Sequence, residues 1–200
     1  MRIIKSGLPI WLLALLFIPG IAWAEGGAEI DTGDTSFVMV SAALVMLMTP
    51  GLALFYGGMV RKKNVLSTIM QSFIIICLVS VQWVLFGYTL AFGPDHSHII
   101  GSLQWLGLNG VGQEPNEGYA ATIPHYVFMA FQLMFAIITA ALITGSIAER
   151  MRFPAFLAFI LLWTTFVYDP LAHWVWGVDG WLRNLGALDF AGGTVVVIDQ

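Results

Sequence analysis

Tyr126–Ile147 reads YVFMAFQLMFAIITAALITGSI, a run without one Asp, Glu, Lys or Arg. As a helix rising 1.5 Å per residue it is about 33 Å long, enough for a hydrocarbon core of about 30 Å. Glu149-Arg150-Met151-Arg152 closes it abruptly. Working outward, Ser36 to Gly58 is a first run of this kind, stopped by Arg61-Lys62-Lys63, and Val65 to Phe92 is a second. Pro154 opens a fourth, where proline suits a first helical turn. That run reaches Val167 and meets Tyr168-Asp169-Pro170. The pattern predicts spans over 36–58, 65–92, 126–147 and 154–169, with a fifth beginning near Asp189.

Composition agrees. Hydrophobic residues make up 58% and charged residues 10% of the chain, and mean hydropathy is +0.84. A soluble domain carries about 25% charged residues, so lipid is the solvent this sequence fits. The net charge of -4 offers no basic face for nucleic acid. Cys77 is the sole cysteine, which excludes an intrachain disulfide and predicts a small packed hydrophobe. The chain holds no nucleophile–base constellation, P-loop or dinucleotide fingerprint, so the reading is not that of an enzyme and calls for no cofactor.

The N-terminus reads as a cleavable export signal, residues 1–24. Arg2 and Lys5 form a basic region, Leu8 to Ile18 an apolar core, and Ala22-Trp23-Ala24 the small-x-small cleavage pattern. The alternative is an uncleaved first helix, though Pro9 and Pro19 bracket a core short for a span. Residues 25–35 would then be an acidic external leader. Arg61, Lys62, Lys63, Arg150 and Arg152 follow spans one and three, while Arg183 alone lies on the other side. The positive-inside rule makes the first two junctions cytoplasmic. The leader, the polar loop 93–124 and the tryptophan-rich connector with Trp174, Trp176 and Trp181 are then external.

Several residues are candidates for chemistry. Phe131 and Phe135 share one helix face four residues apart. They could line a pore mouth and attract a cation, but on spacing alone packing or lipid contact is the simpler reading. Trp176 offers the best aromatic face for a cation, against an interface anchor as the plain reading. Asp189 precedes the Gly192-Gly193 pair and can cap a helix, which is compatible with stabilising an approaching cation. Pro50-Gly51 predicts a kink in span one. His96-Ser97-His98 lacks further ligands for a metal site. His125 reads as an interface residue, and His173 as a partner of a backbone carbonyl.

Taken together, three blocks resemble the ammonium transporter family (Amt, Mep and Rh proteins). They are Pro50-Gly51-Leu52-Ala53-Leu54-Phe55-Tyr56-Gly57-Gly58, Ala130-Phe131-Gln132 with Phe135-Ala136, and Gly186-Ala187-Leu188-Asp189-Phe190-Ala191-Gly192-Gly193-Thr194-Val195-Val196. The bacterial Amt branch is the nearest fit. The resemblance implies an all-α integral membrane protein of eleven helices in two inverted halves, here the N-terminal five-helix half, in a homotrimer with a pore per protomer. It implies ammonium or ammonia as substrate, with methylammonium as analogue, a role in nitrogen metabolism, an inner-membrane location and a PII-type regulatory partner at the cytoplasmic face. Trp176 and Phe135 match the external recruitment site, Phe135 also matches a gate ring, Phe131 is a weaker neighbour, and Asp189 matches the family's aspartate.

The physical logic follows from solvation. A dry apolar pore rejects ammonium, so aromatic faces at the mouth replace part of its water. Deprotonation lets neutral ammonia cross, and the resemblance implies a pair of pore histidines for that step. The first is expected at position 197, where this chain has Val197. Valine neither relays a proton nor hydrogen-bonds an imidazole. From Asp189 to Gln200 the fifth span is about half of a membrane crossing. Two accounts are open: an altered or truncated ending, or a divergent, poorly conducting member. The alternatives to transport are a non-conducting ammonium sensor of the same fold and a fragment that does not function.

Overall fold

The structure is a computed structural model and describes residues 29–198. The expected export signal, residues 1–24, and the polar end at Asp199-Gln200 lie outside the described residues. Helix α1 is Thr32–Met59. It starts ahead of the expected Ser36, because Asp31 accepts a hydrogen bond from the Asp34 amide at 2.8 Å and caps the first turn. The expected kink at Pro50-Gly51 does not interrupt the helix, which runs through Pro50.

Helix α2, Val65–Gln82, continues through a π-helical turn, Trp83–Gly87, into α3, Tyr88–Phe92. The loop that follows carries two short hairpins, Asp95–His96 with Ile100–Gly101 and Pro115–Asn116 with Ala120–Pro124. Helix α4 is His125–Ile147. Helix α5, Phe153–Trp163, passes through a second π turn, Thr164–Tyr168, into α6, Asp169–Trp176, and a short α7, Trp181–Asn184. The fourth run, expected to end at about residue 169, therefore continues as a helical path to Trp176. The Asp169 amide closes the π turn on the Thr164 carbonyl, and Pro170, which has no N–H to donate, follows directly after that wider turn.

By length and composition, four segments among the described residues can cross a membrane: Thr32–Met59, Lys62–Phe92, His125–Ile147 and Phe153–Asn184. Helix α4 is the centre, with α1 and α2 packed against it and α5 against α2. The core joins Ile75, Val79 and Trp83 of the second span to Ala136, Ile137 and Ala140 of the third and Phe156 and Ile160 of the fourth. Small residues on α4 allow close approach without a water-driven force between helices. Outward faces carry large exposed side chains such as Phe37, Leu44, Leu47 and Leu54, the composition a lipid contact requires. Cys77 is exposed on that surface rather than packed inside.

The loop is more structured than its polarity predicts. Trp105 stacks on Tyr88 with ring centroids 5.7 Å apart. His125, expected at an interface, is buried and shares a 2.6 Å hydrogen bond with the Tyr88 hydroxyl. Tyr119 donates to the Phe92 carbonyl at 2.7 Å and accepts from the Val178 amide at 3.2 Å, so the loop is tied to both spans two and four.

Candidate functional site: an aromatic pair and a capped turn

The end of the bundle that carries this loop also collects the sequence-selected residues. Phe131 and Phe135 lie one turn apart on α4 and meet edge to face at 5.1 Å and 83°. Phe135 in turn meets Trp176, at the end of α6, at 6.1 Å and 72°. All three are partly buried. Two hydrogen bonds fix the tryptophan: its indole N–H donates to the Asp189 carbonyl at 3.1 Å, and the Arg183 guanidinium donates to its carbonyl at 2.9 Å. The structure thus brings Phe131, Phe135, Trp176 and Asp189 into one chain of contacts.

Asp189 is occupied by backbone. Its Oδ1 accepts from the Gly192 amide at 2.7 Å, and its Oδ2 from the Thr194 and Val195 amides at 2.9 Å each. These are the unpaired donors at the start of the helical turn Gly193–Ile198. A carboxylate there also complements the positive end of the turn. Gly192 makes this possible. Its φ is +85°, and a Cβ there would meet Val196 Cγ2 at 2.6 Å. The aspartate therefore shapes the turn whose carbonyl holds the indole. Val197 is exposed on the same turn.

Behind this site lies a clamp that the sequence showed only in part. His173, fully buried, contacts the Ala91 carbonyl through Nδ1 at 3.1 Å and Asp95 Oδ1 through Nε2 at 3.0 Å. The carbonyl partner agrees with the sequence reading; the carboxylate is an addition. The bond from His173 is the main reason the Asp95 carboxyl titrates below its ordinary range. His98 lies 3.3 Å from the other Asp95 oxygen. His96 and His98 gather no metal-ligand cluster among the described residues.

Two cavities flank these features. One of about 330 Å³ lies against Trp176, Arg183, Asp189 and Phe190. It touches the indole on a side that Arg183 shares, and Phe135 does not line it. A larger one, about 730 Å³, opens at the opposite end between Tyr56, Arg61, Leu142, Glu149 and Trp163, far from the aromatic pair in the fold.

Four membrane-length helical segments with α4 at their centre, and an aromatic pair and a capped turn at one end, define a polytopic membrane protein of transporter architecture. A model of the Ammonium Transporter Family matches residues 36–198. The chain is 64% identical over 168 residues to an ammonium transporter of Bacillus subtilis (strain 168), covering 84% of this chain and 41% of that protein. It is 47% identical over 168 residues to the ammonium transporter Amt1 of Archaeoglobus fulgidus, covering 84% and 40%. Among solved structures it resembles Mep2 of Saccharomyces cerevisiae with a TM-score of 0.77 at 38% identity, over 84% of this chain and 37% of that one. It resembles a structure titled Sensor Amt Protein with a TM-score of 0.75 at 30% identity, over 81% and 40%. The chain belongs to the ammonium transporter family. It spans about 40% of the length of the curated relatives it matches.

Proposed function

We propose that this chain supplies the recruiting part of a protein that moves ammonium or ammonia across the bacterial inner membrane. The observation that carries this reading is the linked set Phe135–Trp176–Asp189 within a chain of this family. Two aromatic rings at 72° leave faces on which a small cation exchanges part of its water for ring quadrupoles. The indole N–H is held by the Asp189 carbonyl and the Trp176 backbone by Arg183, so little ordering cost remains when the ion arrives. Deprotonation then lets neutral ammonia follow the apolar path between the spans. Phe131 backs Phe135 rather than facing Trp176.

In this reading the basic end, with Arg61 and Arg150, is cytoplasmic, and the loop end and the mature N-terminus after a cleaved signal are periplasmic. Three such protomers assemble, with a PII-type regulator at the cytoplasmic face. Position 197 departs from the relay that the mechanism calls for, since Val197 offers no proton acceptor.

Methylammonium uptake by the complete protein tests the reading. Trp176→Leu should raise KM up to about tenfold, for about 1.4 kcal/mol of lost cation–aromatic attraction, at unchanged yield and trimer content. Unaltered uptake kinetics would remove Trp176 from the recruitment site. A wild-type protein that binds ammonium at the aromatic pair without uptake would instead be a sensor of the same fold.

A further inference from the structure

Midway along span four, Asp169 is completely buried, with no exposed surface at all. Gln82, buried on span two, donates its amide N–H to Asp169 Oδ2 at 2.6 Å. Two oxygens of this pair, Asp169 Oδ1 and Gln82 Oε1, are buried without a hydrogen-bond partner. Among the described residues no Lys, Arg or His forms an ion pair with Asp169. The titratable group one turn further on, His173, is bonded to Ala91 and Asp95. The other polar neighbour is Thr165, whose hydroxyl lies 3.5 Å from the same Gln82 nitrogen. The ring of Tyr168, on the adjoining turn, packs against Trp83 and Trp163.

The backbone frames this pair from both sides. Gln82 is the last residue before the π turn Trp83–Gly87, and Asp169 is the first after the π turn Thr164–Tyr168. Such turns are rare and recur at functional sites. The first turn folds Gly87 onto the Gln82 amide: a Cβ at Gly87 would lie 2.5 Å from Oε1 and 2.8 Å from Nε2. The two spans are thus wound to present one amide to one carboxyl inside the bilayer.

We propose that Asp169 and Gln82 form an intramembrane proton-binding site, in which one proton on Asp169 closes an acid–amide pair between spans two and four. A bare carboxylate here has one hydrogen bond, no counter-ion and no water-exposed surface, which a membrane interior does not sustain. One proton taken from solvent forms an O–H bond on Oδ1 and leaves the pair neutral. That O–H donates to Gln82 Oε1, while Gln82 Nε2 continues to donate to Oδ2. Each orphaned oxygen gains its partner from the same single proton. The site is distinct from the aromatic mouth and does not depend on the transport reading.

Infrared spectroscopy of the complete protein in lipid vesicles tests it. The wild type should show a carboxylic-acid carbonyl band that persists at pH 8 and shifts in heavy water. Asp169→Asn, which keeps one donor and one acceptor without a titrating proton, should lose this band and keep wild-type assembly. Gln82→Leu should move the band towards that of a free acid. If Asp169→Asn gives no folded protein, the displacement in Gln82→Leu assigns the band in its place. Absence of any such band at pH 8, or a band that ignores both substitutions, overturns the proposal and makes Asp169 an ionised carboxylate with a bound cation.

Discussion

The two ends of the helix bundle are fastened by different chemistry. At the loop end the fastenings are partly buried: Asp95 holds a fully buried His173, Tyr119 bridges spans two and four, and Asp189 gathers three backbone amides. At the basic end Glu149 bonds the exposed Arg61 guanidinium at 3.0 Å and the Asn64 amide at 2.6 Å, in contact with water. Buried polar bonds are costly to break because the abandoned partner has no water to turn to, whereas exposed ion pairs are readily replaced by solvent and salt. The loop end is therefore the more firmly fastened of the two.

The comparison breaks most visibly at Asp189. Asp189→Ala removes the acceptors of three amides at once and frees the turn that holds the Trp176 indole. The expected loss is about 2 kcal/mol, in the range of a strong helix cap combined with unsatisfied donors. Thermal unfolding in detergent checks this. Asp189→Asn, which keeps one side-chain acceptor oxygen, should fall between the two. Equal melting of all three proteins would show that the turn holds itself.

The spans were legible because apolar length is a sequence property, and the membrane demands it directly. Phe131, Phe135, Trp176 and Asp189 were legible as candidates because aromatic and charged residues stand out in such runs. Their mutual contacts were not, since Phe135 and Trp176 are brought together only by the packing of α4 beside α6. Asp169 was read only as the end of span four, where the tryptophan-rich connector begins. The π turn that carries the helix past it has no composition signature. Gln82 was hidden for a related reason: its importance lies in facing a carboxyl on another span. Cys77 misled through its residue type, which is usually buried in water-soluble folds, whereas here it stands exposed on the outward face of an apolar helix.

A smaller effect is expected at Asp95. Asp95→Asn leaves His173 Nε2 facing an amide in place of a carboxylate, at an expected cost of about 1 kcal/mol. The pH dependence separates this from a packing loss. The Asp95 carboxyl titrates below its ordinary 3.8 because His173 bonds it. A depressed carboxyl contributes stability that is present above the ordinary value and lost as pH falls through the lowered one. The wild type should therefore lose part of its margin below about pH 4. The asparagine variant should lack that component of the loss.

The smallest effect is expected at the basic end, and it supplies the contrast. Glu149 is held at about 2 by hydrogen bonds from Arg61 and then Asn64, below an ordinary 4.5. By the same sign rule its contribution is complete above 4.5 and fades as pH falls towards 2. The exposed Arg61 side chain makes this contribution weak and salt-sensitive. Glu149→Gln should melt close to the wild type at neutral pH, and the remaining difference should shrink in high salt. The loss in Asp189→Ala should not shrink in the same way, because its amides bond within a turn rather than across water. If salt reduced both losses alike, the two ends would share one kind of fastening, and the division between them would fail.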